Sequence, residues 1–320
     1  MNSDPQPPTP RPERTPTGAA SPAGSGAAVP PAPATVREMQ AMARAFLERK
    51  ELPEARLEAD LLVAHALGLP RLGMLLQLDR PVEPAEIDRA RDALVRRARR
   101  EPVAYITGER EFYGRPFCVG PGCLIPRPET EGIVDLAKDW MRQGLVPVDA
   151  RILDLGTGSG ALAISLALEW PKATVVAAEL SADALAWARR NGERHAAQVA
   201  WHLGDGFEVA RREGPFDLVV SNPPYVRRAD LPSLAPEVRD HEPHEALFAP
   251  DGDPDAFLRR LLEGWSQWMA PLGRMIVELG YDQSPRVLGL LRQSGLEGEL
   301  VRDLSRIERL ASAWKPASAS

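Results

Sequence analysis

The stretch Arg151-Ile152-Leu153-Asp154-Leu155-Gly156-Thr157-Gly158-Ser159-Gly160, running on into Ala161-Leu162-Ala163-Ile164-Ser165-Leu166-Ala167, leaves this chain little choice of architecture. Its apolar start reads as a buried strand and the apolar run beyond the glycines as a helix. The glycines between them allow a tight turn and close approach of a ligand to the backbone. A second apolar run, Ala173-Thr174-Val175-Val176-Ala177-Ala178, ends at Glu179. That is about the interval after the glycines at which an acid meets ribose hydroxyls. Strand, glycine loop, helix, strand and acid predict a nucleoside-binding βαβ unit, and so a mainly parallel sheet with helices on both faces.

Which nucleoside is the sharper question. Gly156, Gly158 and Ala161 also fit the loose dinucleotide pattern, in which a helix N-terminus holds a pyrophosphate. A nicotinamide enzyme therefore stays open on these residues alone. In a methyltransferase the same loop passes beside the amino-acid part of S-adenosylmethionine, and the run Asp154 to Gly160, with its acid two residues before the first glycine, resembles that version. Further on, Leu203-Gly204-Asp205-Gly206-Phe207 follows a third strand-like run and sets Asp205 where an adenine amino group would lie.

Another buried strand, Phe216-Asp217-Leu218-Val219-Val220, breaks at Ser221 into Asn222-Pro223-Pro224-Tyr225. Two consecutive prolines fix φ and remove two N–H donors, so the backbone cannot pair onward. What remains is a stiff tip with free carbonyl oxygens, an amide side chain and a ring. Asn222 Oδ1 and the Pro223 carbonyl can accept the two N–H bonds of a planar N–H2 group while Tyr225 packs on its flat face. The plain alternative is a proline-rich turn closing a strand. The order glycine loop, Asp205, then this tip favours methyl transfer.

The rest of the chain divides by texture. Residues 1–35 are Pro, Ala, Ser, Gly and Thr without period, and predict a disordered tail. Residues 36–102 predict a small all-helical recognition or packing domain. Its first helix opens on a capping-box pair, Thr35 and Glu38; a second starts at Pro53 and stops at Gly68; a third runs from Pro84 to Ala98. Asp60 and His65 read there as surface or capping residues. Residues 103–130 predict a β-hairpin linker, with Tyr105-Ile106-Thr107-Gly108 as a short β run. It ends in Pro126-Arg127-Pro128, after which Glu129 or Thr130 would cap a helix. Residues 131–315 form the nucleoside-binding domain. Within it 226–256 read as a loop over the site, 257–268 and 284–294 as helices, 273–279 as a strand, and Ala311 onward as a loose tail.

Composition excludes more than it assigns. A formal charge of −6 gives no bulk attraction to a phosphate backbone. The five arginines between Arg91 and Arg100 read as a solvated helix face. Cys118 and Cys123 make no disulfide framework, and the His241-Glu242-Pro243-His244-Glu245 run is too weak to predict a metal. No apolar run has membrane length, and the N-terminus lacks a basic-then-apolar leader, so the expected compartment is the cytoplasm.

Taken together, several separate segments resemble the peptide chain release factor glutamine methyltransferases. These two-domain enzymes methylate the side-chain amide nitrogen of the glutamine in the Gly-Gly-Gln motif of bacterial class I release factors. The segments are Glu101 to Gly108, Leu124-Ile125-Pro126-Arg127-Pro128-Glu129-Thr130-Glu131, Asp154 to Gly160, Ser221 to Tyr225, Glu242-Pro243 with Ala246-Leu247, and Glu278-Leu279-Gly280. They span about residue 36 to 315. Relatives that methylate a ribosomal-protein glutamine carry a different continuation after Ile-Pro-Arg. Adenine-N6 DNA methyltransferases share Asn-Pro-Pro-Tyr but add a DNA-recognition region, and none is evident here. A non-enzymatic nucleoside-binding module is disfavoured by the intact Asn222 and glycine loop.

The resemblance implies a Rossmann-like S-adenosyl-L-methionine-dependent methyltransferase domain, with Gly156, Thr157, Gly158, Ser159 and Gly160 lining the cofactor. Glu179 would hold the ribose, and Asp205 and Gly206 would flank the adenine. Asn222 would touch cofactor and substrate, with Pro223, Pro224 and Tyr225 completing a glutamine pocket and Asn222, Pro223 and Tyr225 acting in catalysis. It further implies a class I release factor as partner, no direct nucleic acid or membrane contact, and a monomer. Two departures are visible. The ribose acid is usually Asp and is Glu179 here, and the place of Gly206 usually carries a bulky aromatic. Whether Phe207 substitutes is open from sequence.

Overall fold

A computed structural model describes residues 32–303 and 305–316. The expectation of a disordered tail falls on residues 1–31, outside the described residues, and on Ala32 to Thr35 at the head of the first helix.

The helical unit consists of α1 (Val36–Arg49), α2 (Ala55–Ala66), α3 (Arg71–Leu75) and α4 (Pro84–Ala98). They close over Leu47, Leu62, Val63, Met74 and Ala90. Thr35 Oγ1 accepts the Glu38 amide at 3.3 Å, while the Glu38 carboxylate reaches back one residue further than a capping box, to the Ala34 amide. Asp60 is not a surface residue: at 3% exposure it accepts from Gln40 on α1 and Arg71 on α3, tying three helices through one carboxylate. The α4 arginines are a solvated face only in part: Arg91 stays exposed beside Asp88, whereas Arg96 pairs with Glu101 and Arg97 is buried against Glu58.

The expected β run at Tyr105–Thr107 is helical: α5 spans Val103–Thr107. Pro102 supplies the N-cap, the Thr107 hydroxyl turns back to the Val103 carbonyl, and Gly108 ends the turn at φ 76°, a value its missing Cβ permits. The hairpin follows as β1 (Glu109–Phe112) and β2 (Arg115–Cys118), paired antiparallel. A strap, residues 119–127, leads on to α6 (Glu131–Arg142).

The large unit alternates β3 (Arg151–Leu155), α7 (Ala161–Glu169), β4 (Thr174–Glu179), α8 (Ala182–Arg194), β5 (Val199–Leu203), α9 (Gly206–Glu213) and β6 (Phe216–Ser221). Short helices α10 (Pro236–His241) and α11 (His244–Leu247) follow, then α12 (Ala256–Glu263), α13 (Trp265–Trp268), β7 (Met269–Glu278), α14 (Ser284–Gln293), β8 (Glu297–Arg302) and β9 (Glu308–Trp314). The sheet order is β5-β4-β3-β6-β7-β9-β8, with the first five strands parallel, β9 antiparallel to both its neighbours and β8 running again in the direction of the first five. Alternation sorts the strands' side chains. Leu153, Val176, Val219 and Met275 face one apolar layer with α9, α12, α13 and α14; Ile152, Val175, Val220 and Ile276 face the other with α6 and α7.

The tail expected to be loose from Ala311 runs as far as Trp314 in β9, inserted between β7 and β8 with Ala311 and Ala313 buried, while residues 317–320 lie outside the described residues. Its small side chains gave little hydrophobic signal, but partners on both edges satisfy its backbone. The chain steps from β3 outward to β5 and returns to β6, so the crevice where ligands collect in such sheets opens between β3 and β6.

Candidate active site

The glycine loop leaves β3 and folds over the end of β4. The amides of Gly156 and Thr157 both donate to the Ala178 carbonyl, at 2.9 and 3.1 Å. Gly160 sits at φ 80°, and a Cβ there would lie 3.2 Å from the Ala188 backbone, so helix α7 can begin only at a glycine. Ser159 is buried and its carbonyl accepts from the Asn191 side chain, which also clasps both backbone groups of Cys118. One buried amide thus joins the loop to the hairpin.

Two acids flank the loop. Glu179, at the tip of β4, accepts from Gly158 N at 2.8 Å and Ser181 N at 3.0 Å, one on each oxygen. A carboxylate has about four lone-pair directions, so each oxygen keeps one for a ligand. Asp154 is fully buried beneath the loop. Its Oδ2 takes the Thr157 hydroxyl at 2.5 Å and the Ala163 amide at 3.1 Å; its Oδ1 is buried without a partner among the described residues. Burial pushes the Asp154 pKa up to about 7.

Asp205 caps α9 through the Phe207 amide at 2.9 Å and pairs with Arg260 of α12. Burial alone would raise its pKa, but Arg260 and the Phe207 amide outweigh that and hold it below the usual carboxylate range. A Cβ on Gly206 would fall 2.4 Å from Leu155 Cδ2, so Leu155 occupies the space an aromatic there would need. Phe207 does not take its place. Its ring is buried 5.1 Å from Phe257, with the Arg260 guanidinium 4.1 Å over it.

The proline-rich tip sits one strand over. Leu155 is the register partner of Ser221, whose hydroxyl donates to the Leu155 carbonyl at 2.7 Å. Ser221 in turn pairs with Val277, which brings Glu278 beside Asn222. The Asn222 Nδ2 donates to Thr130 Oγ1 at 2.9 Å, Thr130 donates to Glu278 Oε2 at 2.5 Å, and the Tyr225 hydroxyl donates to Glu278 Oε1 at 3.1 Å. Thr130 therefore does not cap α6, as its place in the sequence predicts; its hydroxyl faces inward. Glu278 is 2% exposed, and burial pushes its pKa up against the lowering effect of the two hydroxyls. Gly280 leaves room for the Tyr225 ring: a Cβ would lie 3.0 Å from Cδ2.

Asn222, Pro223 and Tyr225 line a cleft of about 310 Å³ together with Leu124, Arg127 and Val238; Pro224 is not part of that lining. Glu242 holds the cleft's two rims. Its buried carboxylate accepts the Ile125 amide at 3.0 Å and Arg127 at 2.6 Å, so the His-Glu-Pro-His-Glu run serves as a brace. Among the described residues no group of three or more His, Cys, Asp or Glu could hold a metal ion. Thr130, Glu278, Glu242 and Arg127 all lie in segments the sequence singles out, but no local pattern discloses that they meet. Asp154 was visible as the acid before the glycines, without a role.

Comparison with known proteins adds the following. Residues 38–108 match the model of the PrmC N-terminal domain, and residues 130–236 that of the methyltransferase small domain. The chain is 43% identical to the release factor glutamine methyltransferase of Geobacter sulfurreducens over 82% of its length and 89% of the relative's. Against the enzyme of the same name from Bordetella pertussis it is 42% identical, over 81% of this chain and 94% of that one. Among solved structures, the hMettl16 catalytic domain in complex with the MAT2A 3'UTR hairpin 6 aligns at TM-score 0.51 and 17% identity, covering 75% of this chain and 86% of that one. That likeness concerns the fold alone.

Proposed function

The chain belongs to the release factor glutamine methyltransferase family, and from that premise we propose that it moves a methyl group from S-adenosyl-L-methionine to the side-chain amide nitrogen of the glutamine in the Gly-Gly-Gln motif of class I peptide chain release factors. The observation that carries this reading is the Ser221–Leu155 hydrogen bond. It sets the glycine loop and Asn222 at the same edge of two neighbouring parallel strands, so a cofactor held by one faces an amide held by the other.

The chain's own groups fit that donor. Glu179 keeps lone pairs for two ribose hydroxyls, and the unpartnered Asp154 Oδ1 suits a cationic ammonium at the loop. Gly156 to Gly160 would line the cofactor, with Asp205 and Gly206 at the adenine end. Arg260 already holds one Asp205 oxygen, which leaves that contact narrower than the sequence alone implied. The cofactor, when bound, supplies an electrophilic methyl and a thioether leaving group.

What remains for the protein is positioning. A carboxamide nitrogen is a poor nucleophile because its lone pair is delocalised into the carbonyl. Asn222 Oδ1 and the Pro223 carbonyl accept its two N–H bonds away from the amide plane, and Tyr225 packs on its face. The nitrogen becomes pyramidal and its lone pair points along the line of transfer. As the N–C bond forms and the S–C bond breaks, one of the two N–H protons turns acidic and departs to water while the other stays on the product amide, so no side-chain base is required. No described helix is long and apolar enough to cross a membrane; a substrate that works in translation supports a cytoplasmic activity.

Mass spectrometry of a class I release factor after incubation with the protein and S-adenosylmethionine tests the reading. The expected result is one added methyl on the Gly-Gly-Gln glutamine. An unmodified glutamine, with the cofactor bound in a calorimetric control, overturns it.

A further inference from the structure

We propose that Thr130 and Glu278 fix which end of the Asn222 amide faces the substrate, acting as positioning residues for the transfer. The inference rests on the reading above, in which Asn222 accepts a substrate N–H.

The argument is one of hydrogen-bond direction. A carboxylate that takes a hydroxyl proton on each of its oxygens acts as acceptor at both, and each hydroxyl carries one proton. Tyr225 gives its proton to Glu278 Oε1 and Thr130 gives its own to Oε2. With that proton committed, Thr130 Oγ1 can only accept from the side chain 2.9 Å away, which must be Asn222 Nδ2. The planar amide then turns Oδ1 out of this contact, and Asn222 lines the cleft. Without the chain of bonds the two ends of the amide are nearly equivalent in shape. Half of the orientations would present N–H2 to N–H2, donor against donor.

Glu278 also costs the fold something. It is 2% exposed and, among the described residues, makes no direct ion pair. A buried carboxylate without a cation is expensive to keep. A glutamine would fill the same space at lower cost if packing were the only demand. A carboxylate is required for one-way acceptance from both hydroxyls. Glutamine at 278 could donate to Thr130, free that hydroxyl to donate to Asn222 Oδ1, and so reverse the amide.

The test uses the full-length chain with a class I release factor as substrate and S-adenosylhomocysteine as the binding probe. Thr130→Ser keeps the hydroxyl and is expected within about threefold of wild-type kcat, whereas Thr130→Val and Glu278→Gln should lose roughly tenfold or more, the scale of one hydrogen bond at the reacting group. Binding of S-adenosylhomocysteine should stay within about twofold, and KM for the release factor should change less than kcat. Wild-type kcat in both Thr130→Val and Glu278→Gln, beside an inactive Asn222→Ala, overturns the relay and leaves the function standing. Equal loss in Thr130→Ser and Thr130→Val also overturns it, by pointing to packing. An inactive wild type would instead strike the function itself.

Discussion

Arg97, 1% exposed on α4 of the helical unit, reaches 3.0 Å to Glu237 on α10, the short helix whose Val238 lines the substrate cleft. The same guanidinium is held by Glu58 on α2 through two bonds of 2.9 Å. The helical unit is therefore fastened to the cleft wall through a buried cation. Arg97→Ala would leave two acids facing each other without it, and breaking a buried pair in this way costs about 3–5 kcal/mol. Glu237→Gln, which removes only the charge from the link to the wall, should cost less than about 1 kcal/mol. Chemical denaturation monitored by circular dichroism separates the two, and Glu237→Gln should raise KM for the release factor more than it lowers kcat.

Asn222→Ala removes the proposed acceptor for the substrate amide. Turnover should fall by about 100-fold or more, the usual scale for one preorganised group at the reacting centre. Circular dichroism should be unchanged, because among the described residues the side chain is bonded only to Thr130. Near-normal turnover in a folded variant would remove Asn222 from the mechanism.

Asp154 gives a pH signature. Its carboxyl is raised from 3.8 to about 7, so the folded chain keeps a proton that the unfolded chain has released. Its contribution to stability is complete below the unfolded value and disappears as pH rises through the folded one. Stability of the wild type relative to Asp154→Asn should thus decline from about pH 4 to about pH 7 and level off above. A cationic cofactor end favours the carboxylate, so S-adenosylhomocysteine should bind more tightly at about pH 8 than at about pH 6, releasing a proton. Calorimetry in two buffers of different ionisation enthalpy measures that proton, and its absence would detach Asp154 from the cofactor.

Gly206→Ala sets a Cβ 2.4 Å from Leu155 Cδ2. Overpacking of this kind costs about 1–3 kcal/mol. Thermal unfolding should register it, and the double variant with Leu155→Ala should lose less than the two single losses added together. Strict additivity would mean that the loop moves aside and Leu155 is not what keeps position 206 a glycine.

Local patterns explain what the sequence disclosed. Residues 151–167 and the Asn-Pro-Pro-Tyr tip announce themselves because turn chemistry and apolar runs are properties of neighbours. Tyr105–Thr107 misled because aromatic and β-branched side chains favour strands, whereas Pro102 and Gly108 frame a single helical turn. Ala311–Trp314 misled in the opposite sense: small residues carry little hydrophobic signal, and the slot between β7 and β8 decides their conformation. Thr130 has the composition of a cap, but its proton goes to a residue 148 positions away. Pairings at that range arise from strand register, which no window of sequence contains.

The bond between Ser221 and Leu155 joins adjacent parallel strands, and such strands lie about 4.8 Å apart wherever sheets form. The spacing between the glycine loop and the Asn222 tip is thereby measured off by a lattice constant of the polypeptide itself. A hinge-closing enzyme must find its reactive distance anew at every turnover. Here the spacing of loop and tip is cast into the scaffold when the sheet assembles, so under the proposed reaction each cycle has only to bring the substrate side chain to a gauge already cut to length.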